Sequence, residues 1–365
     1  MPMKKYPLLT RITLLLFFVI LFIYSIVIAR HVLYPIALAV LCAYLLYPLA
    51  AFLEYRAKIP RLIAVIFSVL LFMFLIGLFT HVVISQIQKF AQDEEILSQA
   101  RSNLGEIHQF VEKKIGIKES EQKNEVFTRI QSFLQSGDNT QKLLRSLVST
   151  VEIILFIPIF TIFMLYYRNR GQTFIHKLAE SRHAELAEHL IEQISKIMTR
   201  YVTGVTTVVV ILAVLHSGAL YIIGVEYPLM IGLLAACFSF IPYFGTIISG
   251  LLPLFFTVLV QGNLYLAFAV VIYFIAISLI DHNIITPGIV GGKVHLNPFI
   301  TILSIIIGAA IWGIPGMIVV VPFVAVLKAI FDKVDSLKPF GYILGVDENR
   351  QSLRKSIRSF FSSDK

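Results

Sequence analysis

The feature that most constrains this chain is a stretch of 101 residues, 227–327, in which only Asp281 and Lys293 carry a formal charge. The same stretch holds seven of the fourteen prolines and ten of the twenty glycines. In lipid, a backbone broken by proline or glycine must find hydrogen-bond partners within the protein or at a water-lined cavity. Broken apolar segments at membrane depth are a common sign of a transport site. The sequence therefore predicts a multi-pass membrane protein that moves a solute.

The composition agrees with a membrane location. Hydrophobic residues make up 57% of the chain and charged residues 15%, whereas a typical soluble domain has roughly 25% charged residues. A net charge of +9 would also suit a nucleic-acid-binding protein, but the basic residues flank apolar segments, as membrane insertion requires. We therefore expect lipid headgroups as partners and no nucleic acid.

The alternation of apolar and polar segments predicts an all-α polytopic integral membrane protein with about eight spans of ~20 residues. Basic residues beside the spans place both termini in the cytoplasm of a bacterial inner membrane. The predicted regions are three spans in 1–84, an extracytoplasmic amphipathic helical insert in 85–147, a fourth span in 148–167, a cytoplasmic amphipathic helix in 168–202, a C-terminal transport core with broken segments in 203–331 and a basic cytoplasmic tail in 332–365.

Two segments of the C-terminal core, 229–260 and 298–330, are each interrupted by proline and glycine. A straight helix of this length would measure ~48 Å, which exceeds the ~30 Å of the hydrocarbon core. Each segment either crosses the membrane once at a steep tilt or folds back at its break as a re-entrant hairpin. The distribution of basic residues favours the hairpins.

The two breaks are the leading candidates for a solute pathway. Unwound backbone at membrane depth can offer N–H and C=O groups to a small polar solute, and Tyr243 and Trp312 add amphipathic side chains there. A kink used only for packing, or a loop at the membrane surface, is the alternative. The candidate residues are Pro242, Tyr243 and Gly245 at the first break, Asn297 and Pro298 at the start of the second segment, and Gly313, Pro315 and Gly316 at the second break.

Asp281 is the leading candidate for an ion or substrate site, together with Asn283 and Pro287. It ends an apolar run, where an acid costs free energy unless it is paired, hydrated or bound to a cation. Asp281 either binds a cation, a proton or the solute, or it is a solvated loop acid. His81 and His216 lie inside predicted spans, and we interpret them as hydrogen-bonding groups between helices, with a proton relay as the alternative.

No enzyme or cofactor motif stands out in the sequence. It contains no HExxH, GxSxG or nucleotide-binding fingerprint. Its two cysteines, Cys42 and Cys237, lie in apolar segments without clustered histidines or carboxylates. We therefore expect no enzymatic activity, no cofactor and no metal site.

Three stretches, 241–245, 281–287 and 297–322, resemble the AI-2E family of predicted permeases, and the order of elements is similar to that family over nearly the whole chain. The family includes an exporter of the quorum-sensing signal autoinducer-2 and members described as sodium(lithium)/proton antiporters. Family members often have Asp or Glu directly before Asn, whereas His282 intervenes here between Asp281 and Asn283.

The resemblance implies a secondary transporter that works without ATP hydrolysis, as a homo-oligomer, and exports a small polar molecule similar to autoinducer-2. Sodium(lithium)/proton antiport, with Na⁺ or H⁺ as a partner, is the alternative within transport. A non-transporting membrane scaffold, which recruits partners through 85–147 and the basic tail, is the alternative of another class.

Overall fold

The computed structural model describes residues 8–115, 151–178, 184–290 and 296–346. These ranges are almost wholly helical, and their only strand-like feature is an antiparallel bridge between Leu296 and Gly345. The predicted all-α class is therefore confirmed. Lys293 and the basic residues beyond 346 lie outside the described residues, as does the second half of the predicted insert.

The helices follow the apolar segments of the sequence. Those before residue 116 are α1 (Leu8–Ile28), α2 (Arg30–Ala51), α3 (Arg61–Gln92) and α4 (Glu94–Ile115), with a π-helical turn at Phe52–Arg56. Those from 151 to 290 are α5 (Val151–Tyr166), α6 (Arg168–Leu178), α7 (Ala184–Ile223), α8 (Pro228–Phe238), α9 (Phe244–Leu259), α10 (Leu264–Ile280) and α11 (Thr286–Ile289), with a π-helical turn at Asp281–Ile285. The last are α12 (Pro298–Trp312), α13 (Ile314–Lys333) and α14 (Lys338–Leu344), with a short 3₁₀ turn at Asp335–Leu337.

Large hydrophobic side chains on these helices face outward. Phe74 on α3 is 67% exposed and Tyr221 on α7 is 75% exposed, which suits contact with lipid rather than water. By length and composition, five of the described helical stretches can cross a membrane: Arg30–Arg56, Arg61–Gln92, Ala187–Ile223, Leu264–Ile289 and Ile314–Lys333. The protein is therefore a polytopic membrane protein, as predicted.

Two predicted boundaries do not coincide with helix ends. The third span was expected to stop at 84, but α3 continues to Gln92, so the first residues of the predicted insert extend that helix. The amphipathic region 168–202 and the following span were expected as separate elements, but α7 joins much of the former to the latter in one helix of 40 residues. No proline interrupts it, and a change from polar to apolar surface does not by itself end a helix.

The chain divides into two compact units. One contains Met1–Tyr47, Glu152–Ser195 and His295–Lys365, and the other contains Pro48–Val151 and Lys196–Val294. The predicted C-terminal core is therefore shared between them: the first broken segment belongs to the second unit, and the second broken segment belongs to the first unit.

The first broken segment folds back on itself as α8 and α9, which we call the first hairpin. Ser249 on α9 donates a hydrogen bond from Oγ to the carbonyl oxygen of Ala235 on α8, at 2.5 Å. A Cβ atom on Gly245 would collide with the carbonyl oxygen of Phe238. Residues that precede the break in sequence thus contact residues that follow it. A straight helix would hold them apart, so the chain reverses direction at the break. α8, with 11 residues, is about 16 Å long and too short to cross a membrane.

The second broken segment also reverses direction, forming α12 and α13, the second hairpin. Gly308 and Gly316 lie against each other, since a Cβ atom on Gly316 would collide with the Gly308 carbonyl oxygen. Small residues allow two helix backbones to approach this closely. Both broken segments therefore fold back at their breaks, but α13, with 20 residues, is long enough to cross a membrane by itself.

We expect Gly316→Ala to destabilise the protein by about 1–3 kcal/mol, because the added methyl group must push two helix backbones apart. Gly77→Ala on α3 is the matched control, since, apart from its chain neighbours and its own helix backbone, no atom lies within 4 Å of the position that its Cβ atom would take, and alanine is the better helix former. Thermal unfolding in detergent measures both. Equal midpoints for the two variants would contradict the close contact.

Candidate functional site

The tip of the first hairpin is a strained turn centred on Tyr243. Tyr243 has φ 64° and ψ −57°, and the N–H of Phe244 donates to the carbonyl oxygen of Pro242 at 2.8 Å. This is a γ-turn with positive φ, a rare and strained form. A bulky residue held in such a conformation costs on the order of 1–3 kcal/mol, and such residues cluster at functional sites.

Hydrogen bonds within the hairpin tip satisfy most of its backbone donors. The bonds run from Ser239 N to Ala236 O (3.0 Å), Phe240 N to Cys237 O (3.3 Å), Ile241 N to Phe238 O (2.9 Å) and Gly245 N to Ile241 O (2.8 Å). Pro242 has no N–H, and the Phe244 N–H is used by the γ-turn. The side chain of Tyr243, which is 42% exposed, is therefore the polar group that the tip offers most openly.

Hydroxyl groups hold the two helices together just behind the tip. Ser249 is 2% exposed, and its Oγ lies 3.3 Å from Ser239 Oγ in addition to its bond to Ala235. Interhelical hydrogen bonds of this kind stabilise membrane helices. These hydrogen bonds hold α8 and α9 together directly behind the strained turn.

Glycine makes the reversal at the second hairpin. Gly313 has φ 65° and ψ −141°, a conformation that is essentially restricted to glycine. Pro315 lies in the first turn of α13, where its missing N–H removes no helical bond. Trp312, expected beside the pathway, donates its indole N–H to the carbonyl oxygen of Ile26 on α1 at 3.3 Å.

Asn297 and Pro298 start α12. The Oδ1 atom of Asn297 accepts a hydrogen bond from the N–H of Phe299 at 3.0 Å, and Pro298 occupies the first position of the helix. Both are standard helix-start residues. Their visible role in this structure is to begin the second hairpin.

Asp281 begins the π-helical turn that follows α10. Its Oδ1 atom accepts a hydrogen bond from the Thr286 hydroxyl at 2.7 Å, and the carboxylate is half-buried. The spacing of five residues matches a π-helical turn rather than an α-helix, which is why helical periodicity did not identify Thr286 as the partner. Single π-helical turns are frequent at functional sites.

The two polar neighbours of Asp281 point elsewhere. Asn283 Nδ2 donates to the carbonyl oxygen of Leu279 at 2.7 Å, and His282 Nδ1 lies 2.8 Å from the carbonyl oxygen of Ser278. Both side chains are exposed, as is Pro287. Among the described groups, no three His, Cys, Asp or Glu side chains are arranged to hold a metal ion.

His216 forms the interhelical hydrogen bond that the sequence predicted. It is 3% exposed on α7, and its Nδ1 lies 2.9 Å from the hydroxyl of Tyr273 on α10. Its ring also stacks on Phe274 with the centroids 4.8 Å apart. His81, in contrast, is exposed on α3.

We expect Tyr243→Gly to raise the thermal unfolding midpoint, because glycine adopts positive φ without steric cost. Tyr243→Ala keeps the Cβ atom and the strain while removing the ring, so it is the matched comparison. Unfolding in detergent should rank glycine above alanine by about 1 kcal/mol. A glycine variant no more stable than the alanine variant would show that Tyr243 is unstrained.

Comparisons with known proteins agree with these features. A model of the family described as "AI-2E family transporter" matches residues 16–336. A Haemophilus influenzae protein named "Putative transport protein" is 24% identical over 346 residues, 90% of this chain and 94% of that protein.

Two further relatives match over shorter stretches. "Putative transport protein YrrI" of Bacillus subtilis is 28% identical over 162 residues, 44% of this chain and 41% of that protein. "AI-2 transport protein TqsA" of Escherichia coli is 28% identical over 131 residues, 36% of this chain and 38% of that protein. The chain therefore aligns with less than half the length of each of these two. Because the family model covers most of the chain, this protein belongs to the AI-2E family of transporters.

Proposed function

We propose that this transporter exports a small polar molecule across the bacterial inner membrane without hydrolysing ATP. The solute passes the tip of the first hairpin and the carboxylate of Asp281. The observation that carries this proposal is the strained, exposed Tyr243 at the tip of a hairpin too short to cross the membrane.

The length of α8 supports a tip at membrane depth. α8 has 11 residues and reaches about 16 Å, close to half of the ~30 Å hydrocarbon core. A phenol hydroxyl at that depth is stabilised by a polar partner or by water. A passing polar solute supplies such a partner.

We infer a cytoplasmic N-terminus from the basic residues that flank the spans. With that orientation, α7 runs outward and α10 runs inward. The first hairpin, which lies between them in the chain, then enters the membrane from the outer face. Asp281, at the end of α10, lies toward the cytoplasmic face.

Asp281 supplies charge at that end of the pathway. The partner of its Oδ1 atom, Thr286, is neutral, so this bond orients the carboxylate without cancelling its charge. A half-buried carboxylate beside a π-helical turn suits transient binding of a polar solute or a cation. The name of the relative TqsA, "AI-2 transport protein", makes autoinducer-2 the first solute to test, and a homo-oligomer is the expected assembly.

Flux from proteoliposomes loaded with autoinducer-2 tests this function. We expect Asp281→Asn and Pro242→Ala each to lower the transport rate by at least about tenfold while the protein inserts normally. A tenfold loss corresponds to about 1.4 kcal/mol. Glu226→Gln, which removes an exposed acid before α8, is the control and should keep the rate. Wild-type flux in both site variants would exclude this pathway.

The same vesicles separate the alternatives. Added Na⁺ that collapses a pH gradient across the vesicles, without movement of autoinducer-2, would identify a cation/proton antiporter. A comparison of metabolites released by cells with and without the protein then identifies the solute. If the protein moves neither ions nor any released metabolite, the non-transporting scaffold is the alternative that remains.

A further inference from the structure

Both ends of the first hairpin contact α4, the first helix of the predicted insert. Tyr227 directly precedes α8, and its hydroxyl donates to Asp93 Oδ2 at 2.7 Å. At the other end, Asn103 Nδ2 donates to the carbonyl oxygen of Val260, the residue after α9, at 3.0 Å. Two side chains that are ten positions apart thus reach the entry and the exit of one hairpin.

The contacting residues form one stripe along α4 and Asp93, the residue that precedes it. Asp93, Ile96, Ala100 and Asn103 follow the i, i+3, i+7, i+10 spacing of a single helix face. Ile96 and Ala100 are 8% and 1% exposed. The stripe therefore has two polar ends and a buried apolar centre.

Aromatic rings fill the space between the stripe and the hairpin. Phe90 lies edge-to-face against Tyr227, with centroids 5.5 Å apart, and 5.7 Å from the ring of Phe256 on α9. Val260, at the exit of the hairpin, is 8% exposed and packs with Ile96 and Ala100. These contacts therefore reach Phe256 within α9 as well as the two ends of the hairpin.

The backbone at both ends of the hairpin is shaped for these contacts. Tyr227 has φ 51° and ψ 45°, a left-handed conformation unusual for a tyrosine. Gly262 has φ 62°, and a Cβ atom there would lie 2.8 Å from the Asn103 amide. A side chain at this position would therefore displace the Asn103 amide and would also be strained by the positive φ.

Both oxygens of Asp93 are used. Besides the bond from Tyr227, Oδ1 accepts from the N–H of Ile96 at 3.2 Å, which caps the start of α4. The Tyr227 hydroxyl first, and the Ile96 N–H second, hold the pKa of Asp93 below its ordinary value of 3.8. A lowered pKa means that the contact is present above pH ~4 and is lost only as the pH falls through the lowered value.

We propose that α4 is a clasp that fixes the position of the first hairpin, with Asp93 and Asn103 as positioning residues for the transport pathway. A hairpin tied at both ends moves only together with α4, so the depth of its tip is set at the membrane surface. The role in transport rests on the proposed function. The clasp itself does not.

Hydrogen–deuterium exchange of the full-length protein in nanodiscs tests the clasp directly. We expect the Asp93→Ala, Asn103→Ala double variant to raise the exchange rate of peptides within 228–259 by about tenfold, a change of 1.4 kcal/mol in opening free energy. Asp93→Asn keeps an oxygen acceptor and should retain most of the protection. Glu94→Ala, which removes the exposed acid next in sequence, should leave exchange unchanged.

The outcomes separate the clasp from the proposed function. Unchanged exchange in the double variant, or an equal increase in Glu94→Ala, overturns the clasp. Increased exchange together with altered KM or maximal rate for autoinducer-2 supports both the clasp and the pathway. Increased exchange with wild-type flux supports the clasp and shows that the first hairpin lies off the pathway.

Discussion

The structure depends on one constraint: in hydrocarbon, every backbone polar group needs a partner inside the protein. Both broken segments fold back on themselves, and hydrogen bonds within each reversal satisfy part of this requirement. At the first hairpin, five N–H groups of the tip are bonded within the turn. A solute that passes this tip therefore meets few free N–H donors, and Tyr243 is the most exposed polar side chain there.

The two hairpins solve the same problem with different chemistry. The first places a tyrosine at positive φ and supports it with the buried Ser249 behind the tip. The second uses Gly313 for the reversal and the Gly308–Gly316 contact for close packing. The first tip thus keeps a backbone strain at Tyr243 that a glycine would remove, whereas the second tip avoids it with Gly313. Because strained residues cluster at functional sites, this difference favours the first tip as the functional one.

The first part of the predicted insert packs against the first hairpin. α3 continues past the predicted span end, and α4 then lays one face across both ends of the first hairpin. Removal of 85–147 would thus disturb the hairpin as well as any partner-binding surface, so loss of function in such a deletion does not distinguish a scaffold from a transporter.

The sequence alone determined the helical class, the membrane location and the two breaks, because long apolar runs and helix-breaking residues have few physical solutions. It also predicted the interhelical hydrogen bond of His216, whereas His81, for which it predicted the same role, is exposed on α3. Only the tertiary structure decided that both breaks are reversals, that Thr286 pairs with Asp281, and that Asp93 meets Tyr227. These contacts join residues through a five-residue π-helical spacing or across 134 positions of the chain, and helical periodicity carries no signal for either.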